Sequence, residues 1–260
     1  MLLAVNVGNT NTVLGVFQGA ELKWHWRMST DPERTADELA IVFGGFLEQQ
    51  DLSFTRQITG VVICSVVPTS TRALREMTER YFGFPPVVVE PGTRTGIPIL
   101  SDNPREVGAD RIVNAVAAYH LYGGPCIVID FGTATTYDVI SAKGEFLGGA
   151  IAPGVQVSNR ALSSSTARLP QVELYPPRSV TGRNTVEAIQ SGLLYGTAGE
   201  ADGMIQRLRA ELGADATTVA TGGLAPAIVP HCTGIDRHEE WLTLEGLRLV
   251  FEKNVGSSDE

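Results

Sequence analysis

Two stretches of similar pattern decide the fold: LAVNVGNTNT at residues 3–12 and IVIDFGTATT at residues 127–136. In each, an apolar strand ends in Asn or Asp, and a glycine and a hydroxyl-rich turn then lead into a second strand. They align without a gap at an offset of 124 positions, which places Asn6 over Asp130. Self-similarity at close to half of the 260-residue chain predicts a duplicated domain rather than a solenoid.

The similarity continues beyond these stretches, because Thr12 lies over Thr136 and Glu21 over Glu145. Short apolar runs separated by turn residues predict strands joined as antiparallel meanders. The predicted strands are Leu2–Val7, Thr12–Phe17 and Glu21–Met28 in the first meander, and Cys126–Asp130, Thr135–Ser141 and Glu145–Ile151 in the second.

Capping residues predict where the helices begin. Asp31, followed by a proline, predicts a helix with this aspartate as its N-cap. A later helix begins either at Asn103, which opens a capping-box pattern, or near Asp110, because Gly108 disfavours a helix interior. Asn184 predicts the start of a third, long helix.

The two turns have the composition of an anion-binding site. Glycine lets the backbone approach a ligand closely, neighbouring N–H groups point at an anion, and Thr and Asn side chains add donors. The Asn or Asp that ends each strand can orient a metal ion or its water. Ordinary hairpin turns favour the same residues, so one such turn would indicate little. Two turns at equivalent positions favour a shared ligand in a cleft.

Composition and charge exclude several classes of protein. Lys and Arg number 20 against 29 Asp and Glu, and the net charge of −9 argues against a nucleic-acid or anionic-membrane partner. The length of 260 residues indicates one large or two medium domains, and the 43% hydrophobic share is that of a globular protein. No apolar run approaches the roughly 20 residues of a membrane span. Without a basic signal-peptide region, a disulfide framework or a zinc-ligand spacing, we expect a cytoplasmic protein with reduced cysteines.

Six further short sequence motifs indicate which family the chain resembles. They share glycines, prolines and acidic residues in a fixed order: EPG at 90–92, GADR at 108–111, DFGTAT at 130–135, GGAIAPG at 148–154, GRNT at 182–185 and TGG at 221–223. The paired turns resemble those of the acetate and sugar kinase, heat-shock chaperone and actin superfamily, in which two similar domains present phosphate hairpins to ATP. The chain has no Gly-Lys-Ser/Thr P-loop, GxGxxG or GxSxG motif. From Leu2 to about Glu252, the strings together resemble the type III pantothenate kinases of bacteria.

The resemblance implies an α/β fold of two duplicated, actin-like (ribonuclease H-like) domains with the active site in the cleft between them. It implies a division into residues 1–113, residues 114–254 and a loose tail at 255–260. The implied reaction transfers the γ-phosphoryl group of ATP to the primary hydroxyl of pantothenate, giving 4'-phosphopantothenate in the first step of coenzyme A synthesis. The implied cofactors are ATP, Mg²⁺ and a monovalent cation, K⁺ or NH₄⁺, and the implied assembly is a homodimer.

The same resemblance assigns roles to residues of this chain. Asp110 is the general base, and the substrate is bound by Gly108, Ala109, Asp110, Arg111 and, from the partner subunit, Thr185. ATP is bound by the two turns and a glycine pair, namely Asn6, Val7, Gly8, Asn9, Thr10, Asn11, Gly132, Thr133, Ala134, Thr135, Gly222 and Gly223. Asp130 and Asn6 belong to the cation site. By spacing alone, Asp110 and Arg111 are better explained as a helix start and a surface residue, and Thr185 as part of a helix cap.

The chain departs from the family pattern at two positions. The family's first motif has Asp where this chain has Asn6, and an amide keeps one acceptor oxygen but lacks the charge that a Mg²⁺ complex uses. Three explanations stay open: an engineered variant, a natural member that relies on Asp130, and a member without activity. Ser101 stands where many members have Tyr. Two other functions also stay open: a sugar or small-alcohol kinase of the same superfamily, and a non-catalytic binding or regulatory protein.

Overall fold

Two five-stranded mixed sheets form the framework of the protein. The computed structural model describes residues 1–213 and 215–255. The first half of the chain contains β1 (Leu2–Val7), β2 (Asn11–Gln18), β3 (Glu21–Ser29), α1 (Ala36–Glu48), β4 (Gly60–Ser65), α2 (Pro68–Met77), β5 (Val87–Val88) and α3 (Ala109–Tyr122). The second half contains β6 (Cys126–Phe131), β7 (Ala134–Ile140), β8 (Phe146–Pro153), α4 (Val155–Ser164), α5 (Thr185–Leu212), β9 (Thr217–Thr221), α6 (Ala225–Ile228), β10 (Arg237–His238) and α7 (Leu242–Val255).

The two sheets have the same topology. The first has the order β3-β2-β1-β4-β5, and the second has the corresponding order β8-β7-β6-β9-β10. In each, the central strand pairs antiparallel with the next strand along the chain and parallel with the strand that follows a crossover. This arrangement confirms the two predicted meanders and the duplicated α/β fold.

The strand register corrects one detail of the duplication. Val7 pairs with Thr12, whereas the equivalent Phe131 pairs with Thr135, so the first turn is one residue longer than the second. Thr12 is therefore equivalent to Thr135, and the gap-free alignment over Thr136 is wrong at this point. The offset of 124 positions is restored in the third strands. Thr12 pairs with Met28 and Thr135 pairs with Ala152, so Met28 and Ala152 are again 124 positions apart.

A β-bulge marks the same place in both meanders. The register shifts between Val16 and Phe17 in the first sheet, and between Val139 and Ile140 in the second. A bulge bends its strand and increases the local twist. Equivalent bulges therefore give the two meanders the same curvature.

Each sheet is held by its own apolar core. Every residue of β1 is buried except Asn6, and every residue of β6 is buried except Asp130. Near-continuous apolar runs of this kind are expected for central strands that are covered on both faces. Helix α1 covers the first sheet through residues such as Leu39 and Phe43, and α5 covers the second through residues such as Leu194.

Contacts between Cα atoms separate the chain into two units. Of the described residues, the first contains 1–97, 103–117 and 243–255, and the second contains 98–102, 118–213 and 215–242. Helix α7 thus belongs to the first unit, where a Cβ atom added at Gly15 of β2 would lie 2.7 Å from Leu244.

Helix starts agree with the sequence except at α1. The N-cap of α1 is Thr35, whose reciprocal hydrogen bonds with Glu38 form a capping box, so the prediction of Asp31 as N-cap is wrong. Asp31 instead accepts a hydrogen bond from the N–H of Glu33. A short 3₁₀ turn at Pro104–Glu106 precedes α3, which begins only at Ala109, after Gly108.

Helix α5 begins after its predicted cap, Asn184. Among the residues that the structure describes, no helix is both long and apolar enough to cross a lipid bilayer. The predicted loose tail, apart from Val255 at the end of α7, lies outside the described residues.

Candidate active site

The first turn is closed by hydrogen bonds on its inner side. The N–H of Gly8 donates to the carbonyl of Asn11 at 2.9 Å, and the N–H of Thr30 donates to the carbonyl of Thr10 at 2.9 Å. The Thr30 hydroxyl donates to the carbonyl of Gly8 at 2.7 Å. Residues 9–11 are exposed, so the turn presents their polar groups to solvent at the end of β1.

The second turn has the same construction with fewer residues. The N–H of Gly132 donates to the carbonyl of Ala134 at 3.1 Å, and the N–H of Gly154 donates to the carbonyl of Thr133 at 3.1 Å. Thr133 is exposed, whereas Thr135 is buried as the first inward residue of β7. Each unit therefore presents one compact turn whose outer surface is polar.

Asn6 and Asp130 hold equivalent places beside these turns. Each is the one partly exposed residue in an otherwise buried central strand, two positions before the glycine that opens the turn. An acceptor oxygen at this place lies beside the backbone that would receive a phosphate chain. Asn6 brings a neutral amide to this place, and Asp130 brings a carboxylate.

Gly222 fits closely against Asp130. Its φ is +98°, and a Cβ atom at this residue would lie 2.3 Å from Oδ1 of Asp130 and 2.7 Å from the backbone of Phe131. Only glycine permits both the backbone conformation and this approach. Gly222 therefore leaves room for the Asp130 carboxylate, and its predicted part in ATP binding stays untested. The adjacent Gly223 is exposed.

Asp110 lies in the first turn of α3. Its Oδ1 accepts a hydrogen bond from the N–H of Arg111 at 2.9 Å. Burial raises the pKa of the Asp110 carboxyl, while this hydrogen bond and the Arg111 guanidinium charge oppose the rise. A Cβ atom at Gly108 would lie 2.6 Å from Oδ1 of Asp110, so the glycine makes room for the carboxylate.

Cys64 links Asp110 to the end of β1. Burial raises the pKa of the Cys64 thiol, and the negative charge of Asp110 raises it further. Cys64 also pairs with Asn6 in the register of β1 and β4. The first unit therefore contains Asn6 and the first turn at the end of β1, and Gly108, Ala109, Asp110 and Arg111 around the start of α3.

Thr185 is not in either of these groups. It is the exposed first residue of α5, and the helix is capped by Asn184, whose side chain accepts from the N–H of Glu187 at 2.9 Å. Glu187 also binds the preceding loop through Arg178 at 2.5 Å and through the N–H of Arg183 at 3.1 Å. The capping interpretation of this string is confirmed, and a substrate contact by Thr185 stays a prediction.

The residues around Asp130 suit a cation that is shared with phosphate oxygens. Within residues 1–213 and 215–255, no group of three or more His, Cys, Asp or Glu side chains could hold a metal ion. Mg²⁺ usually needs only one or two carboxylates when substrate phosphates and water supply the other ligands. A single carboxylate beside a candidate phosphate-binding turn therefore fits Mg²⁺ bound together with ATP.

Two residues that contact the turns have no role predicted from the sequence. Thr30 and Gly154 both donate a backbone N–H to the turn of their own unit, yet neither was assigned a role. The signal that could have found them is the repeat itself, because they lie 124 positions apart.

Comparison with known proteins identifies the family. The profile of the type III pantothenate kinase family matches residues 2–207. A type III pantothenate kinase of Frankia alni is 59% identical over 256 residues, which cover 98% of this chain and 100% of the relative. One from Streptomyces griseus is 56% identical over 262 residues, covering 98% of this chain and 99% of the relative.

A solved structure shows a similar fold at low sequence identity. Component A of (R)-2-hydroxyglutaryl-CoA dehydratase from Acidaminococcus fermentans has a TM-score of 0.59 at 12% identity, covering 100% of this chain and 99% of the other. This likeness supports the actin-like fold and nothing more. The profile match over most of the sequence and the near-full-length identity show that the chain belongs to the type III pantothenate kinase family.

Proposed function

We propose that this protein phosphorylates pantothenate with ATP, giving 4'-phosphopantothenate and ADP. The observation that carries the proposal is the 59% identity, over nearly the whole of both chains, to a relative named as a type III pantothenate kinase. The local geometry supports it, since each unit presents a polar turn beside an Asn or Asp, and the first unit adds a partly buried carboxylate.

In this reaction the pantothenate hydroxyl oxygen forms a bond to the γ-phosphorus of ATP. The bond from that phosphorus to the β,γ-bridging oxygen breaks, and ADP leaves. The hydroxyl proton passes to the Asp110 carboxylate, and Arg111 binds the negatively charged end of the substrate. Phosphoryl transfer depends mainly on positioning and charge neutralisation, so one base, one cation-holding carboxylate and two rigid turns are a sufficient set of parts.

The environment of Asp110 suits a proton acceptor. A carboxyl whose pKa is raised by burial is a stronger base than a solvated one once it is ionised. The N–H and the guanidinium charge of Arg111 oppose this rise in the pKa. Gly108 leaves the carboxylate room to face a substrate hydroxyl.

The cation site and the assembly complete the proposal. When bound, Mg²⁺ neutralises charge on the ATP phosphates. Asp130 would hold it directly or through water, with Asn6 as a neutral second donor. We also propose that K⁺ or NH₄⁺ supports nucleotide binding, that the protein works as a homodimer in which Thr185 reaches the partner's substrate, and that it acts in the cytoplasm.

The test is an ADP-release assay with ATP, Mg²⁺ and K⁺ and one acceptor at a time. We expect release that depends on pantothenate and stays at background with glucose, N-acetylmannosamine or no acceptor. Release that depends only on a sugar would indicate a sugar kinase of the same fold. Nucleotide binding with no acceptor-dependent release would indicate a non-catalytic member.

A further inference from the structure

The residue that follows the third strand of each meander contacts the polar turn of the same unit. We propose that Thr30 and Gly154 are positioning residues that set the shape of the two nucleotide-binding turns. The inference rests on the proposed function only in treating these turns as the ATP phosphate sites. It concerns nucleotide binding and is independent of which acceptor is phosphorylated.

The two residues are equivalent by register as well as by sequence. Thr30 directly follows β3, and Gly154 directly follows β8. The N–H of Thr30 donates to Thr10 and that of Gly154 to Thr133, and these acceptors correspond once the one-residue difference between the turns is counted. One backbone hydrogen bond to the turn has therefore been kept in both halves of the duplication.

In the first unit, the side chain of Thr30 adds two further contacts. Its hydroxyl donates to the carbonyl of Gly8 at 2.7 Å and lies 2.9 Å from the hydroxyl of the buried Thr12. With the hydrogen bond to Thr10, Thr30 holds the longer turn at three points. These contacts restrain the Gly8 carbonyl and so limit the conformations open to the exposed residues 9–11.

In the second unit, the same place has no room for a side chain. A Cβ atom at Gly154 would lie 2.4 Å from the carbonyl oxygen of Thr133 and 2.5 Å from that of Gly132. Real Cβ atoms do not approach backbone oxygens this closely, so any larger residue would displace the shorter turn. Gly154 therefore positions Gly132 and Thr133 by close backbone packing, where Thr30 positions Gly8 by a hydroxyl.

The difference between the halves predicts opposite requirements at equivalent positions. The first turn needs a hydroxyl at residue 30, and the second turn needs the absence of any side chain at residue 154. A structural role alone would make both substitutions lower the melting temperature without a selective effect on nucleotide binding. A positioning role predicts weaker nucleotide binding that a conservative hydroxyl at residue 30 restores.

The experiment measures the affinity of the purified protein for Mg²⁺ with β,γ-imido-ATP by calorimetry, without pantothenate. We expect Thr30→Val, which removes the hydroxyl but keeps the shape, to weaken binding about tenfold, because it removes both side-chain hydrogen bonds. Thr30→Ser should bind within about twofold of the wild type because it keeps the hydroxyl. The matched control is Ser29→Ala, at the exposed last residue of β3, and it should not change the affinity for nucleotide.

A second pair of variants tests the other turn. Gly154→Ala should weaken binding by about tenfold or more, whereas Gly199→Ala, where a Cβ atom would meet nothing within 4 Å, should leave it unchanged. Melting temperatures confirm that each variant is folded at the temperature of the titration. If Gly154→Ala does not fold, the comparison of Thr30→Val with Thr30→Ser still decides whether residue 30 positions the first nucleotide-binding turn.

Binding by Thr30→Val or folded Gly154→Ala within about twofold of the wild type would overturn the inference, even if the protein phosphorylates pantothenate. The experiment also distinguishes failure of the proposed function from failure of the positioning role. Loss of nucleotide affinity in both variants, in a protein that never phosphorylates pantothenate, would support the positioning role and contradict the proposed function.

Discussion

Burial raises the pKa of the Asp110 carboxyl, whereas the N–H and the charge of Arg111 lower it. As the proposed base it should be needed for transfer and dispensable for nucleotide binding. We expect Asp110→Asn to lower kcat by about 10²–10⁴-fold, the usual effect of removing a general base, with nucleotide affinity nearly unchanged. Asp51→Asn, at an exposed site in the same unit, is the control. Full turnover in the Asp110 variant would remove it from the mechanism.

The pH dependence of the rate tests the same carboxyl. The base must be ionised, so kcat/KM should fall as the pH decreases through the raised pKa of Asp110, above the ordinary value of about 3.9. The Arg111 guanidinium lowers that pKa, so Arg111→Gln should move the acid limb of the profile to higher pH. A limb that stays in place or moves to lower pH would contradict this assignment.

Asn6 is the residue whose chemistry departs most from the family pattern. It lies where the second unit has Asp130, and Asn and Asp are nearly isosteric, so the fold should accept either residue. We predict that Asn6→Asp raises turnover by at least about tenfold and lowers the Mg²⁺ concentration for half-maximal rate, since a carboxylate is the better metal partner. Titration of both forms with Mg²⁺ checks this. Equal curves would show that Asp130 and solvent suffice.

At the scale of elements, the segment after β9 approaches the end of β6, where Asp130 is the proposed metal-binding carboxylate. We expect Gly222→Ala to displace Asp130 and to raise the Mg²⁺ requirement by about 10–100-fold, as for loss of a supporting group around a metal. Gly213→Ala is the matched control, because its φ of +64° imposes similar backbone strain with nothing within 4 Å of the added Cβ atom. An equal effect of both substitutions would indicate strain alone.

Strands and most helices could be predicted because their signals are local. The apolar runs of β1 and β6 and the Asn184 cap lie in short stretches of sequence, and the structure confirms them. The start of α1 was mispredicted because two caps compete within five residues of sequence. Thr35 and Glu38 satisfy each other reciprocally, whereas Asp31 closes only a short turn.

The packing of the site could not be predicted, because it joins residues far apart in sequence. Whether a turn takes three or four residues depends on which carbonyl the first glycine reaches, Asn11 in one turn and Ala134 in the other. The fit of Gly222 on Asp130 arises only when the parallel strands β6 and β9 pair across a crossover. Motifs and family resemblance predict that the turn residues bind ATP and that Asp110 is the general base, and the experiments above test these roles.

At the scale of the whole molecule, the assembly is the open prediction. The second unit leaves large apolar side chains exposed, with Val180 at 67% and Ile151 at 65% of their surface. We expect sedimentation to give a homodimer at assay concentrations, and Thr185→Ala to raise the KM for pantothenate. A fully active monomer would contradict the shared site.

The most direct test of the account follows the phosphoryl group itself. The protein is incubated with ATP labelled with ³²P at the γ-position, Mg²⁺, K⁺ and pantothenate, and the products are separated by chromatography. We predict that the label moves to pantothenate, that transfer requires both ATP and the acceptor, and that Asp110→Asn lowers its rate by about 10²-fold or more. Label that appears only in inorganic phosphate, or transfer that is unaffected by the Asp110 substitution, would contradict the account.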